Sequence, residues 1–136
     1  MPERIQCQLL HDLVIERMED AESLFNANRY DAAIYLCGYA LECCLKEQIC
    51  IHNSWSEYVP LPGKYTNLFY NHDLDVLEKL SGKSHALMSR VHRDWMFVKD
   101  KWNPENRYQL VKATEDNCRY FIDATKNIIK EISAIC

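Results

Sequence analysis

Arginine and histidine side chains crowd into one short stretch of the sequence. Arg90, His92 and Arg93 place two guanidinium groups and an imidazole within four residues. Arg90 and Arg93 are three residues apart, so in a helix they share one face, and paired guanidinium groups suit the recognition of phosphate. Trp95 and Phe97 follow and carry rings of the kind that stack on bases. The stretch is a candidate anion or nucleotide site; the alternative is an ordinary solvent-facing helix surface, because nearby aspartates dilute its charge.

The carboxylate of Glu42 stands in the most apolar part of the chain, residues 30–46. Burying an unpaired carboxylate costs on the order of several kcal/mol. We therefore expect a structural ion pair with Lys46, one helical turn later, or with Arg107. The alternative is that Glu42 belongs to a functional site.

The predicted ligand-binding site groups charged side chains and a tyrosine against this apolar helix. Its members are Glu42, Arg90, Arg93, Arg107 and Tyr108. No residue is assigned a catalytic role, and no cofactor is expected.

Other histidines raise the question of acid–base or metal chemistry. His72 and Asp73 are adjacent and form either an acid–base pair or, in the simpler interpretation, the cap of a short helix. His85 and His92 are seven residues apart, which places them on one helix face. However, the sequence has no H-x-x-x-H or E-x-x-H spacing, so no zinc or di-iron site is predicted.

The seven cysteines include no C-x-x-C pair, and most lie in apolar helical patterns. We interpret them as reduced core residues of a cytoplasmic protein. The first six residues do not have the pattern of a signal peptide. No apolar run approaches the length of a membrane span, so no membrane association is expected.

The elements that must position these side chains are predicted to be helices. With 136 residues, three glycines and four prolines, the chain fits one soluble all-α domain over residues 1–136. The aromatic connection over residues 53–71 is long for a helical bundle. Hydrophobic periodicity predicts helices over residues 3–26, 30–52, 73–80 and 84–101, and a last one beginning near Thr114.

The second predicted helix, over residues 30–52, is apolar almost all round, which is typical of a central, buried helix. Gly38 lies in its middle, where glycine costs about 1 kcal/mol relative to alanine. We expect a neighbouring helix to approach closely at that point. In the last helix, Thr114 is a suitable N-cap.

Three segments of the chain, in this order, resemble a known family. The first contains RYDAA at residues 29–33 and GYALE at residues 38–42, the second is HDL at residues 72–74, and the third is WNPENRY at residues 102–108. Together they are similar to HEPN domains of bacteria and archaea, and the resemblance covers nearly the whole chain.

The resemblance implies an antiparallel bundle of four or five helices that forms a homodimer. Many HEPN domains are ribonucleases, including toxins paired with a minimal nucleotidyltransferase and effectors of phage defence. Their active site is an arginine followed, after four to six residues, by a histidine late in the chain, and it is doubled across the dimer interface. Members without this motif act as non-catalytic binding or regulatory domains.

This sequence departs from the catalytic pattern of the family. The last histidine is His92, so neither Arg107 nor Arg119 has a histidine after it. The one formal match, Arg4 with His11, lies in the first predicted helix, at the opposite end of the chain from the family's motif. With this many arginines and histidines, chance alone produces such a match.

The sequence therefore predicts a non-catalytic, HEPN-like, homodimeric domain that binds a partner protein, such as a minimal nucleotidyltransferase, or a nucleotide or RNA. The net charge of −4 argues against a broad grip on nucleic-acid backbone. One alternative is a metal-independent ribonuclease toxin that uses Arg4 with His11, or Arg90 with His92. Another is a purely structural dimerisation domain that buries the aromatic residues of 55–70 against a second copy.

Overall fold

Helices account for nearly all of the regular structure, as the sequence predicts. The computed structural model of the chain describes residues 5–58, 69, 73–102 and 113–133. Over these residues the all-α class is confirmed, with one small sheet that the sequence did not predict. The elements are β1 (Ile5–Gln6), α1 (Cys7–Asn26), α2 (Tyr30–Asn53), β2 (Glu57–Tyr58), α3 (Leu74–Ser81), α4 (Ser84–Ser89), α5 (His92–Lys101) and α6 (Glu115–Ser133).

Helices α1 and α2 form an antiparallel hairpin. The chain reverses at Asn28, whose φ of 62° lies in the left-handed region that asparagine tolerates. Backbone amides of the turn donate hydrogen bonds to the last carbonyls of α1, which ends the helix. The predicted break between the first two helices is confirmed.

Helix α2 is the central helix, as predicted: fourteen of its 24 residues are buried. Gly38 lies at its closest contact with another part of the chain. A Cβ atom added there would lie 1.9 Å from Nε1 of Trp102, the residue that follows α5. The Trp102 indole also donates a hydrogen bond to the Tyr35 carbonyl, at 3.3 Å. The predicted close approach at Gly38 is therefore real, and the indole of Trp102 makes it.

Helix α6 completes the core. The Thr114 hydroxyl accepts a hydrogen bond from the Asn117 amide at 3.1 Å, which confirms the predicted N-cap. Its neighbour α1 is joined to it by a bidentate pair between Arg119 and Glu22, at 3.1 and 2.8 Å. The buried stripe of α6 comprises Cys118, Phe121, Ile122, Ala124, Thr125, Ile128, Ile129 and Ile132.

The single helix predicted over residues 84–101 is wrong, because the chain bends after Ser89 and restarts as α5 at His92. The bend allows Leu87 of α4, and Trp95 and Val98 of α5, to be buried together in the core. Tertiary packing thus overrides a local pattern that contains neither glycine nor proline.

The prediction that every cysteine is reduced is also wrong, since Cys7 and Cys50 form a disulfide. Cys7 is the first residue of α1, and the antiparallel hairpin places it beside the end of α2. The two cysteines are 43 residues apart in the chain, so sequence spacing gave no sign of the bond. Four other cysteines are free and buried, as predicted: Cys37, Cys43, Cys44 and Cys118.

Part of the aromatic connection packs on the bundle. The ring of Trp55 contacts Tyr58 and Phe69, with centroids 6.4 and 5.1 Å apart. Tyr58 is buried in the core. The rest of the predicted connection over residues 53–71 lies largely outside the described residues. Among the helices that are described, none is long and apolar enough to cross a membrane.

Candidate functional site

The second half of α2 carries four buried polar side chains, those of Glu42, Lys46, Glu47 and Gln48. Nζ of Lys46 lies 3.0 Å from Oε2 of Glu42, so the predicted ion pair with Lys46 is present. The other predicted partner, Arg107, lies outside the described residues. The geometry supports a structural role for Glu42, because its charge is matched by a neighbour on its own helix.

Lys46 also contacts an aromatic ring. Its Nζ atom lies 5.4 Å from the centroid of the Tyr58 ring, which is close enough for a cation–π interaction. Strand β2 supplies Tyr58, so this contact joins the small sheet to the Glu42–Lys46 pair on α2. This end of α2 is consequently held by polar contacts as well as by apolar packing.

His11 of α1 and Glu47 of α2 form a second polar pair, with 2.7 Å between Nδ1 and Oε2. The carboxylate is nearly buried, whereas the imidazole is partly exposed. With its proton on Nδ1, His11 presents Nε2 as an acceptor, an arrangement that orients a histidine for proton transfer. Sequence reasoning missed this pair because it depends on the register between two antiparallel helices. Arg4, the predicted companion of His11, lies outside the described residues.

The predicted basic stretch forms the bend between α4 and α5. The side chain of Arg90 is 72% exposed and lies 3.3 Å from a Glu131 carboxylate oxygen. His92 and Arg93 are exposed at the start of α5. The prediction that Arg90 and Arg93 share a helix face is wrong, because the helix is interrupted between them. Both nevertheless lie on the exposed surface.

The predicted base-stacking role of Trp95 is contradicted by its burial. Trp95 is fully buried, and its indole N–H donates a hydrogen bond to Oε1 of Glu78 at 3.0 Å. Phe97 is half-buried and packs on Tyr120 and Phe121, with centroids 4.5 and 6.1 Å away. These two rings therefore pack towards the core and against α6, so they stabilise the bend and do not face a ligand.

Two exposed methionines accompany the arginines, and sequence reasoning did not single them out. Met88 is 50% exposed and Met96 is 41% exposed. Met96 is three residues after Arg93 on α5, so these two side chains share the outer face of the helix. We name this surface the α4–α5 corner, and it consists of Met88, Arg90, His92, Arg93 and Met96.

The members of the predicted ligand-binding site are not brought together by any contact within the described ranges. There, no hydrogen bond or ion pair joins Glu42 to Arg90 or Arg93. Tyr108, like Arg107, lies outside those ranges.

The remaining histidine and cysteine candidates have structural surroundings. Asp73 accepts a hydrogen bond from the Asp75 amide at 2.9 Å, which confirms that it caps α3; His72 lies outside the described residues. Burial raises the pKa of the Cys43 and Cys44 thiols to about 12, so both are inert. In the described part of the chain, no group of three or more histidine, cysteine, aspartate or glutamate residues is placed to hold a metal ion.

No family model, curated protein or solved structure matches this chain. The similarity to HEPN domains is therefore a resemblance of the sequence segments quoted above and nothing more.

Proposed function

We propose that this protein is a non-catalytic, HEPN-like, homodimeric domain of the cytoplasm that binds an acidic surface of a partner protein through the α4–α5 corner. The observation that carries this proposal is that Arg90 and Arg93 are exposed in the same stretch of chain, residues 88–96, as the exposed Met88 and Met96. Arginine and methionine are enriched in protein interfaces, where a guanidinium pairs with carboxylates and a thioether adapts to apolar surface.

A protein partner fits this surface better than a nucleotide does. Trp95 is buried, which removes the ring that would have stacked on a base. The chain's net charge of −4 also disfavours a broad hold on nucleic-acid backbone. The HEPN resemblance points to a minimal nucleotidyltransferase as the partner, and the missing arginine–histidine motif is what makes the domain non-catalytic in this proposal.

The test compares two charge-reversal variants with the same change in net charge. Arg90→Glu with Arg93→Glu alters the corner, whereas Arg29→Glu with Lys79→Glu alters two exposed cations elsewhere. Each variant is titrated by calorimetry against a purified minimal nucleotidyltransferase, the class of partner that the HEPN resemblance implies. We expect the corner variant to bind roughly 100-fold more weakly and the control variant to stay within about threefold of the unmodified protein.

Equal affinities for both variants would contradict the proposed surface. A parallel titration with ATP separates the two ligand classes. If ATP binds the unmodified protein and the control variant but not the corner variant, the ligand of the α4–α5 corner is a nucleotide instead of a protein.

The His11–Glu47 pair favours one second candidate, a metal-independent ribonuclease. An imidazole oriented by a carboxylate is suited to general acid–base catalysis, and a cation such as Arg4 would be needed to hold the scissile phosphate. If this candidate is correct, expression slows the growth of the host and His11→Ala relieves the effect. Growth that is unaffected by expression of the unmodified protein counts against it.

A further inference from the structure

The Cys7–Cys50 disulfide differs from the other described cysteines in its position. It lies where α1 begins and α2 ends, at the rim of the bundle. Cys50 is only 1% exposed, whereas Cys7 is half-buried and is the more accessible of the two. The four free cysteines are all buried within α2 and α6. Disulfide chemistry in the described part of the chain is therefore confined to one accessible end of the bundle.

The disulfide anchors the small sheet. Strands β1 and β2 are two residues long and pair antiparallel, with Ile5 opposite Tyr58 and Gln6 opposite Glu57. Immediately afterwards, the amide of Cys7 donates a hydrogen bond to the Ser56 carbonyl at 2.9 Å. A two-stranded pairing is only marginally stable by itself even when it is longer than this. The covalent bond at Cys7 thus restrains the chain directly after β1, in addition to the packing of Ile5 against the core and the hydrogen bond from Gln6 to Glu57.

The rest of α1 has its own anchors. His11, one turn after Cys7, bonds to Glu47, so the disulfide and this pair are successive cross-links between the two helices. Leu10 and Val14 are buried in the core. Loss of the disulfide should therefore free the first residues of the described chain and leave the remainder of α1 in place.

We propose that Cys7–Cys50 is a reversible redox staple, whose reduction releases β1 and the first turn of α1 while the bundle stays folded. This inference rests on the cytoplasmic location in the proposed function, since disulfides in that reducing compartment are usually transient and often serve redox sensing. A disulfide beside the two-residue strand β1 fits that use, because opening it changes one end of the bundle without unfolding the core.

The chemistry needs only a small dithiol as reductant. Its first thiolate attacks Sγ of Cys7, the S–S bond breaks, and Cys50 leaves as a thiolate that takes up a proton. Its second thiolate then displaces Cys7, which is also protonated, and the reagent becomes a cyclic disulfide. The protein gains two electrons and two protons, and the cyclic disulfide reverses every step.

The test uses the unmodified protein at graded ratios of reduced to oxidised dithiothreitol, with hydrogen exchange read by mass spectrometry. As the disulfide opens, amide exchange over residues 5–8 and 56–58 should accelerate roughly tenfold or more, while exchange in α6 stays unchanged. Unchanged exchange at β1 would overturn the proposal. Reduction that occurs only together with unfolding of the whole bundle would overturn it too, as would thiols that oxidised dithiothreitol fails to join.

Two variants make the result specific. Cys7→Ser should show fast exchange at β1 without reductant and no further response to it. Cys43→Ala, which removes a free buried cysteine outside the pair, should keep the full response. Slow exchange at β1 in Cys7→Ser would show that the strand does not depend on the disulfide and would contradict the proposal.

Discussion

The contact between Gly38 and Trp102 shows how one residue fixes the relation between two helices. Glycine is unfavourable in the interior of a helix. At position 38, however, the absence of a side chain leaves the space that the Trp102 indole occupies. Trp102 directly follows α5 and is the first residue of the WNPENRY segment of the HEPN resemblance. The contact of Trp102 with Gly38 and Tyr35 therefore holds the end of α5 against α2.

Gly38→Ala should destabilise the protein by about 2 kcal/mol, although alanine improves helix propensity by about 1 kcal/mol. The added methyl group collides with the Trp102 indole, which must move away from α2. Urea unfolding measures the change in the free energy of unfolding.

The control is the same substitution in a Trp102→Ala background. With the indole gone, Gly38→Ala should be neutral or stabilising, because only the propensity effect remains. An equal cost in both backgrounds would show that the indole does not set the requirement for glycine.

The carboxyl of Glu22 gives a prediction about pH. Hydrogen bonds from Arg119, together with Lys126, lower its pKa from 4.5 to about 2. A lowered pKa in the folded state adds stability that is complete above pH 4.5 and is lost as the pH falls towards 2. Glu22→Gln should therefore cost about 1–2 kcal/mol at neutral pH, and the difference from the unmodified protein should shrink through this range.

Unfolding by urea at several pH values between 7 and about 2.5 measures this difference. Asp123→Asn is the matched control, because Asp123 also bonds to Arg119 but is more exposed, so its effect should be smaller. A cost of Glu22→Gln that does not change with pH would contradict the assigned pKa.

At the scale of elements, a helix or strand could be predicted only where hydrophobic residues recur at a regular spacing. Helices α1, α3 and α6 each bury an apolar stripe, and α2 is apolar almost all round, so the sequence located all four. The bend after Ser89 was not predicted. It is stabilised by the burial of Leu87 and Trp95 in the core, and this burial depends on contacts that no local sequence pattern encodes. The sheet escaped because strands of two residues have no periodicity to detect.

In the candidate site, contacts within one helix could be predicted and contacts between two helices could not. The Glu42–Lys46 pair was predictable because its members are four residues apart on one helix. The His11–Glu47 pair and the disulfide were not predictable, since each joins positions on two helices whose register is set by packing. The exposure of the arginines beside two methionines likewise depends on the bend.

The bend itself should depend on Glu78 of α3. Its carboxylate accepts hydrogen bonds from the Trp95 indole of α5 at 3.0 Å and from the Ser84 hydroxyl of α4 at 2.8 Å. Glu78→Ala leaves a buried indole N–H without its acceptor, which should cost about 2 kcal/mol in urea unfolding. It should also weaken partner binding, because the corner loses its support.

Lys79→Ala is the control for Glu78→Ala, since Lys79 is the next residue on α3 and is exposed. It should change stability by less than about 0.5 kcal/mol. Equal effects of the two substitutions would show that Glu78 does not support the bend.

At the scale of the whole molecule, the packing of the aromatic connection bears on two of the functions considered. A purely structural dimerisation domain would bury its aromatic connection against a second copy. Three rings of that connection instead pack on one another, and one of them, Tyr58, belongs to the chain's own core. This packing counts against the purely structural alternative, since these rings are already covered within one chain.

Light scattering on the purified protein should give the mass of a dimer. The corner variant, Arg90→Glu with Arg93→Glu, should remain dimeric while losing its partner. A stable monomer would contradict both the proposed homodimer and the structural alternative. Joint loss of the dimer and the partner would show that the corner is instead the dimer interface.

Binding without catalysis is the central claim, and an RNA cleavage assay on purified protein tests it most directly. The assay includes EDTA and compares the unmodified protein with His11→Ala and His92→Ala. We predict no cleavage by any of the three, even at high protein concentration. Cleavage by the unmodified protein that either substitution abolishes would contradict the claim and identify a ribonuclease with a displaced active site.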